Sequence, residues 1–154
     1  MEQLFVNPNM SRIADHLEKH RYTVTVDGPD TISIEGVEAG DEKVGMTFKD
    51  IPDRKSVLVK VNGKKEHPDD VSSELFHLIN HVNEWDHPGR FTIDGIDHAL
   101  HYSRFYTNYE LPAMDVHQLM FEMPLAYMQC EELVNAVAQG TSVEKVLDQL
   151  DDED

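Results

Sequence analysis

The sequence predicts an α+β domain: a single antiparallel sheet of five to six strands with helices packed mainly on one face, in the order α-ββββ-α-ββ-α-α. Three observations predict it. Four short runs between Tyr22 and Val61 alternate apolar and polar residues, the period of a half-buried strand. Three longer stretches instead repeat apolar residues every three or four positions, the period of a helix packed on one side. The strands follow one another through short turns, which favours neighbouring antiparallel pairing.

The elements can be justified in order. Residues 8–20 place Met10, Ile13, Ala14 and Leu17 on one helical stripe, with Pro8 tolerated near the start. Tyr22, Val24 and Val26 alternate in a first strand, and Gly28-Pro29-Asp30 turns the chain. Ile32 and Ile34 point inward in the second strand. Val44, Met46 and Phe48 do so in the third, and Val57, Val59 and Val61 in the fourth. Asn62-Gly63 reads as a turn.

The stretch from Asp69 to Ile93 is the pivot of the chain. Asp69 and Asp70 suit the positive end of a helix. Val71, Leu75, Leu78, Ile79, Val82 and Trp85 trace one of its faces, and Trp85 is expected in the core. Pro88 and Gly89 end the helix, and Arg90 to Asp94 begins a strand. Asp94-Gly95-Ile96-Asp97 turns into a long aromatic strand, His98 to Tyr109, closed by Pro112.

The last third is helical. Asp115 caps a helix running to about Gln139, and Gly140 suits the position after its end. Val116, Leu119, Met120, Met123, Tyr127, Cys130, Val134 and Val137 form its stripe. Pro124 lies inside it and predicts a kink or break. Phe121, Leu125 and Met128 lie off the stripe. The first half of this helix is therefore either deeply buried, the reading favoured for it, or covered by a partner. In the second case Phe121, Leu125 and Met128 are the partner-binding residues. Thr141-Ser142-Val143-Glu144 reads as a capping box before a short helix with Val143, Val146, Leu147 and Leu150 inward. Residues 151–154 form an acidic tail, and residues 1–154 form a single domain.

Composition narrows the function. The net charge is −17, carried almost entirely by the second half: residues 66–154 hold 19 Asp and Glu but 3 Lys and Arg. Such a chain is repelled by phosphate backbones, so nucleic acid is not an expected partner, whereas a basic protein is allowed. One cysteine rules out an internal disulfide and fits a reducing, cytoplasmic setting. No signal peptide and no membrane span are read.

Chemistry is sparse. There is no GxSxG elbow and no glycine-rich phosphate loop, and no carboxylate pair stands out, so an enzyme is not expected. Nine histidines invite a metal test. His77 and His81 are four apart on a helix, a spacing that suits zinc, but the Glu of a zinc-protease helix is missing between them. His98 and His101 are three apart in an expected strand and so point to opposite faces. Solvated histidines are the reading taken, with no metal and no cofactor. The amides of Asn80 and Asn83, beside Trp85, mark a polar helix end that either caps backbone groups or touches a partner.

Asn83-Glu84-Trp85-Asp86, then Pro88 and a strand, resembles the YbjN family, which typically shows Asn-x-Trp-Asn before a rising strand; Asp86 departs from that pattern. Gln118-Leu119 near the start of the long helix is a second likeness, and the element order from Ile13 to Leu133 is a third. The resemblance implies a type III secretion chaperone-like fold, commonly dimeric, and a sensory-transduction regulator without catalytic residues. The combined expectation is a non-catalytic protein-binding module, forming a homodimer or holding an unidentified protein partner. Two alternatives stand beside it: a metal-binding regulator using His77 and His81, and a small-molecule binding domain using the rings from Tyr102 to Tyr109.

Overall fold

The computed structural model describes residues 8–85, 88–107 and 116–151. Helix α1 spans Pro8–Lys19. Strands β1 (Thr25–Val26), β2 (Thr31–Ala39), β3 (Glu42–Ile51) and β4 (Ser56–Asn62) follow. Helix α2 (Ser72–Asn83), strands β5 (Arg90–Ile93) and β6 (Leu100–Thr107), and helices α3 (Val116–Ala138) and α4 (Val143–Asp151) complete the order. The six strands form one antiparallel sheet in the order β1-β2-β3-β4-β6-β5. The α+β class and the predicted order of elements are both observed.

The register explains why one face is apolar. Ile32 pairs with Phe48, Ile34 with Met46, Phe48 with Val59, and Val61 with Tyr102. Directly paired residues share a face, so these side chains stack into one layer, and all are buried. The helices bring their own stripes to that layer: Ile13 and Leu17, Leu75 and Leu78, Leu119 and Tyr127. The opposite face carries Ser33, Thr47, Lys60 and Ser103 in register across four strands. A register irregularity between Ile34 and Val37 inserts an extra residue, which keeps both of these side chains on the core face.

Helix ends follow local chemistry. Gly140, at φ +108°, ends α3; its N–H donates to the Val137 carbonyl, and that of Thr141 donates to Ala136. This is the Schellman pair of bonds that the glycine was expected to allow. Arg21, at φ +70°, ends α1 in the same manner: its N–H donates to Glu18, and that of Tyr22 donates to Leu17.

Several expectations are corrected. The alternation over Tyr22 to Val26 pairs only at Thr25 and Val26, because the preceding residues complete the α1 cap. The central helix opens with a 3-10 turn, Asp69–Val71, and no side chain caps α2. The helix ends at Asn83, so Trp85 leaves its stripe and stands 44% exposed rather than in the core. His98 lies outside the aromatic strand at φ +58°, held by the turn that precedes it. Pro124 does not break α3, which runs on through it. The N-cap of α4 is Ser142, whose hydroxyl accepts from the Lys145 N–H at 3.2 Å; the capping box expected on Thr141 is not the one used. Asn62-Gly63 is not an open turn. Gly63 is buried, and its N–H donates to the Leu100 carbonyl at 3.0 Å. Tyr109, Pro112, Asp115 and the tail beyond Asp151 lie outside the described residues.

Candidate functional site

A cleft of about 630 Å³ opens between the β5–β6 edge and α3. Its position follows from the chain. Helix α2 stops at Asn83, the backbone bends, and β5 returns beside β6 as the edge of the sheet. Asn83 fixes that bend. Its side-chain amide donates to the Phe91 carbonyl at 2.8 Å, and its side-chain carbonyl accepts from the Phe91 N–H at 2.9 Å. The capping role weighed for Asn83 is therefore its observed one. Asn80 is exposed on α2.

The floor of the cleft is aromatic. Phe91 and Tyr102 pair directly across β5 and β6, with ring centroids 4.5 Å apart. A Cβ at Gly89 would fall 2.3 Å from the Tyr102 hydroxyl, so the glycine lets the backbone lie against that ring. Burial pushes the Tyr102 phenol up from its ordinary pKa, which keeps it neutral. Met123, Ala126 and Leu133 of α3 form the facing wall, and Trp85 stands at the mouth. One charged pair crosses the cleft. Arg104 pairs with Val59 in the sheet and so faces the helices. Its guanidinium lies 4.5 Å from the Tyr106 ring centroid and 3.8 Å from the Glu122 carboxylate.

The expected partner-binding residues do not converge on this cleft. Phe121 is 66% exposed, so burial of the first half of α3 is incomplete there. Leu125 and Met128 are half-buried. Phe121 lies beside the end of α1, whereas Met128 sits over the β2–β3 turn, 2.9 Å from where a Cβ on Gly40 would be. Of the aromatic strand, Tyr102 lines the cleft, Tyr106 is fully buried and Phe105 is exposed.

Among the described residues, the histidines other than His67 separate into three settings. His77 and His81 are exposed and stacked, with centroids 5.0 Å apart. His98 is buried with Nδ1 3.4 Å from the Asp69 carboxylate. His101 is held below its ordinary pKa, chiefly by burial. The third setting, His16 and His20 with His117, brings three imidazoles together. The chain order hides this group, because His117 lies about a hundred residues from the other two. Only the packing of α1 against α3 joins them.

A buried polar cluster lies under the other end of α3. His67 Nε2 and Glu131 Oε1 are 3.2 Å apart, and both side chains are buried. The Tyr127 hydroxyl donates to Glu42 at 3.0 Å, and Glu42 also accepts from the Lys64 and Lys65 N–H groups. Burial, then the neighbouring Glu42 carboxylate, pushes the Glu131 carboxyl up to about 8, while Lys65 pulls it the other way. Burial, then Lys65, lowers the pKa of His67. Both shifts favour the neutral forms, a carboxylic acid beside an uncharged imidazole, over an ion pair. Cys130 is buried and its thiol is pushed up, first by burial and then by Glu131. This is the setting of an inert thiol.

No family model, no curated protein and no solved structure matches the chain. Among the described residues, no helix is long and apolar enough to cross a membrane.

Proposed function

We propose that the chain is a non-catalytic protein-binding module that takes an apolar side chain of a protein partner in the cleft between Phe91 and Leu133. The observation that carries this reading is Trp85, a large ring 44% exposed at the mouth of a cleft with an aromatic floor. Exposed tryptophan beside an apolar recess is the composition of an interface anchor. The Arg104–Glu122 pair inside the cleft gives a partner segment polar groups to orient against. The buried, raised thiol of Cys130 supports a role without a nucleophile. The α-ββββ-α-ββ-α-α order supports a YbjN-like chaperone or sensory-transduction regulator, with a second copy of the chain as one candidate occupant.

The test uses the single tryptophan as its reporter. A panel of short apolar and amphipathic peptides is titrated while Trp85 emission is followed, and the mass in solution is measured by light scattering. Binding should shift the emission to the blue, and Ala126→Arg, which fills the wall, should remove the response. A panel that leaves Trp85 unchanged in a monomeric protein, or equal binding by Ala126→Arg, overturns the reading.

A second reading is a small-molecule binding domain. A volume of about 630 Å³ falls within the range of ligand pockets, and the stacked Phe91–Tyr102 pair offers a flat apolar surface. Saturation of the Trp85 signal by a small aromatic compound, with no response to peptides, favours it.

A further inference from the structure

His16 and His20 are four apart near the end of α1, so their side chains project from one face in successive turns. Their ring centroids are 4.4 Å apart. His117 enters from the first turn of α3, with its ring 6.5 Å from His16 and 6.0 Å from His20. One nitrogen from each of the three rings lies within 4.8 Å of the others. Among the described residues this is the group of three metal-ligating side chains that meets that spacing.

We propose that His16, His20 and His117 form a divalent-metal site of the zinc class, joining the end of α1 to the start of α3. Imidazole nitrogen is a borderline donor that suits zinc, nickel and copper and does not suit magnesium or calcium. A tetrahedral zinc ion with bonds of about 2.0–2.1 Å holds its ligand atoms roughly 3.3 Å apart. From within 4.8 Å the ligand atoms must close by up to about 1.5 Å to that spacing. His20 and His117 are exposed and His16 is half-buried, so the movement falls mainly to the first two. Three protein ligands leave a fourth position open, the pattern of a site that also takes water or an exogenous group. The three histidines line one recess together with Tyr22, Met120 and Phe121. The carbonyl end of α1 is the negative end of its dipole and favours a cation there. The net charge of −17 adds a general attraction for cations. The site is separate from the His77–His81 pair and from the Trp85 cleft.

The test titrates the metal-free full chain with zinc alone, in competition with a chromophoric chelator. One equivalent should bind, and His117→Gln and His20→Gln should each weaken it roughly tenfold or more, about 1.4 kcal/mol. His77→Gln should leave the affinity unchanged. Imidazole 1H–15N spectra should show three histidines perturbed, two of them lost with those variants. The solution mass should not rise with the first equivalent of zinc. Absence of binding, binding lost in His77→Gln but kept in His117→Gln, or zinc held between two copies of the chain overturns the proposal. Because His20 and His117 are exposed, the Gln variants are expected to fold, and an unchanged circular dichroism spectrum verifies it.

Discussion

The side chain of Asn83 forms both hydrogen bonds that a neighbouring strand would otherwise form with Phe91, at 2.8 and 2.9 Å. Strand β5 is the edge of the sheet. The amide therefore links helix to strand and blunts the edge at the same residue.

Asn83→Ala should cost about 1–3 kcal/mol, because it strands a backbone donor and acceptor together. Asn83→Asp should be no better. Its carboxylate still accepts from the Phe91 N–H but meets the Phe91 carbonyl with no donor. Denaturant unfolding gives both values, and both variants should aggregate more readily than the parent through the uncovered edge.

Gly63→Ala should be among the more damaging single-methyl changes in the protein. A Cβ there would lie 2.2 Å from the Leu100 carbonyl oxygen and 2.3 Å from the Tyr127 hydroxyl. The first neighbour is backbone and cannot swing aside. A loss of about 1–3 kcal/mol or more is expected from overpacking, measured as a fall in the denaturation midpoint without a change in slope.

Arg21→Gly should stabilise. Arg21 is exposed, and at φ +70° it ends α1 in the left-handed region. Holding a non-glycine residue there costs roughly 1–2 kcal/mol, and glycine's extra freedom in the unfolded chain returns part of that. A net gain of about 0.5–1 kcal/mol is expected in thermal or chemical unfolding.

The pH dependence should carry the mark of Glu131. Its folded pKa, about 8, lies above its ordinary value of 4.5. The unfolded chain therefore releases this proton first, and the contribution to stability is full below about 4.5 and lost as pH rises through 8. His67 works in the opposite sense: with its pKa lowered below 6.5, its contribution is present above 6.5 and lost on acidification. Glu131→Gln keeps a donor for His67 and removes the first dependence. The variant should match the parent near pH 5 and exceed it by about 1–3 kcal/mol at alkaline pH, read from unfolding curves across that range.

Local pattern alone was enough for most of the architecture. The stripes of Met10, Ile13, Ala14 and Leu17, and of Leu75, Leu78, Ile79 and Val82, are buried as their spacing requires. The inward residues of the three long strands of the meander are buried as well. The misses are places where tertiary contacts decided between local options. Trp85 fits the helical period, but the Asn83–Phe91 bonds end the helix before it. Gly63 follows asparagine as in a turn, yet Leu100 and Tyr127 press against it. Pro124 lacks an N–H, yet α3 continues through it and Pro124 is buried there.

The sequence by itself determined the fold class, the order of the elements and which face of each is apolar, because period and turn chemistry are local properties of the chain. It also concentrated the negative charge in residues 66–154. The tertiary structure alone decided what stands together: His16 and His20 with His117, His67 with Glu131, and Trp85 over the Phe91–Tyr102 floor. Each of these joins elements distant in sequence, and no spacing rule reaches that far. Only the packing of the helices on one face of the sheet sets those distances, and with them the burial that raises the pKa of Glu131.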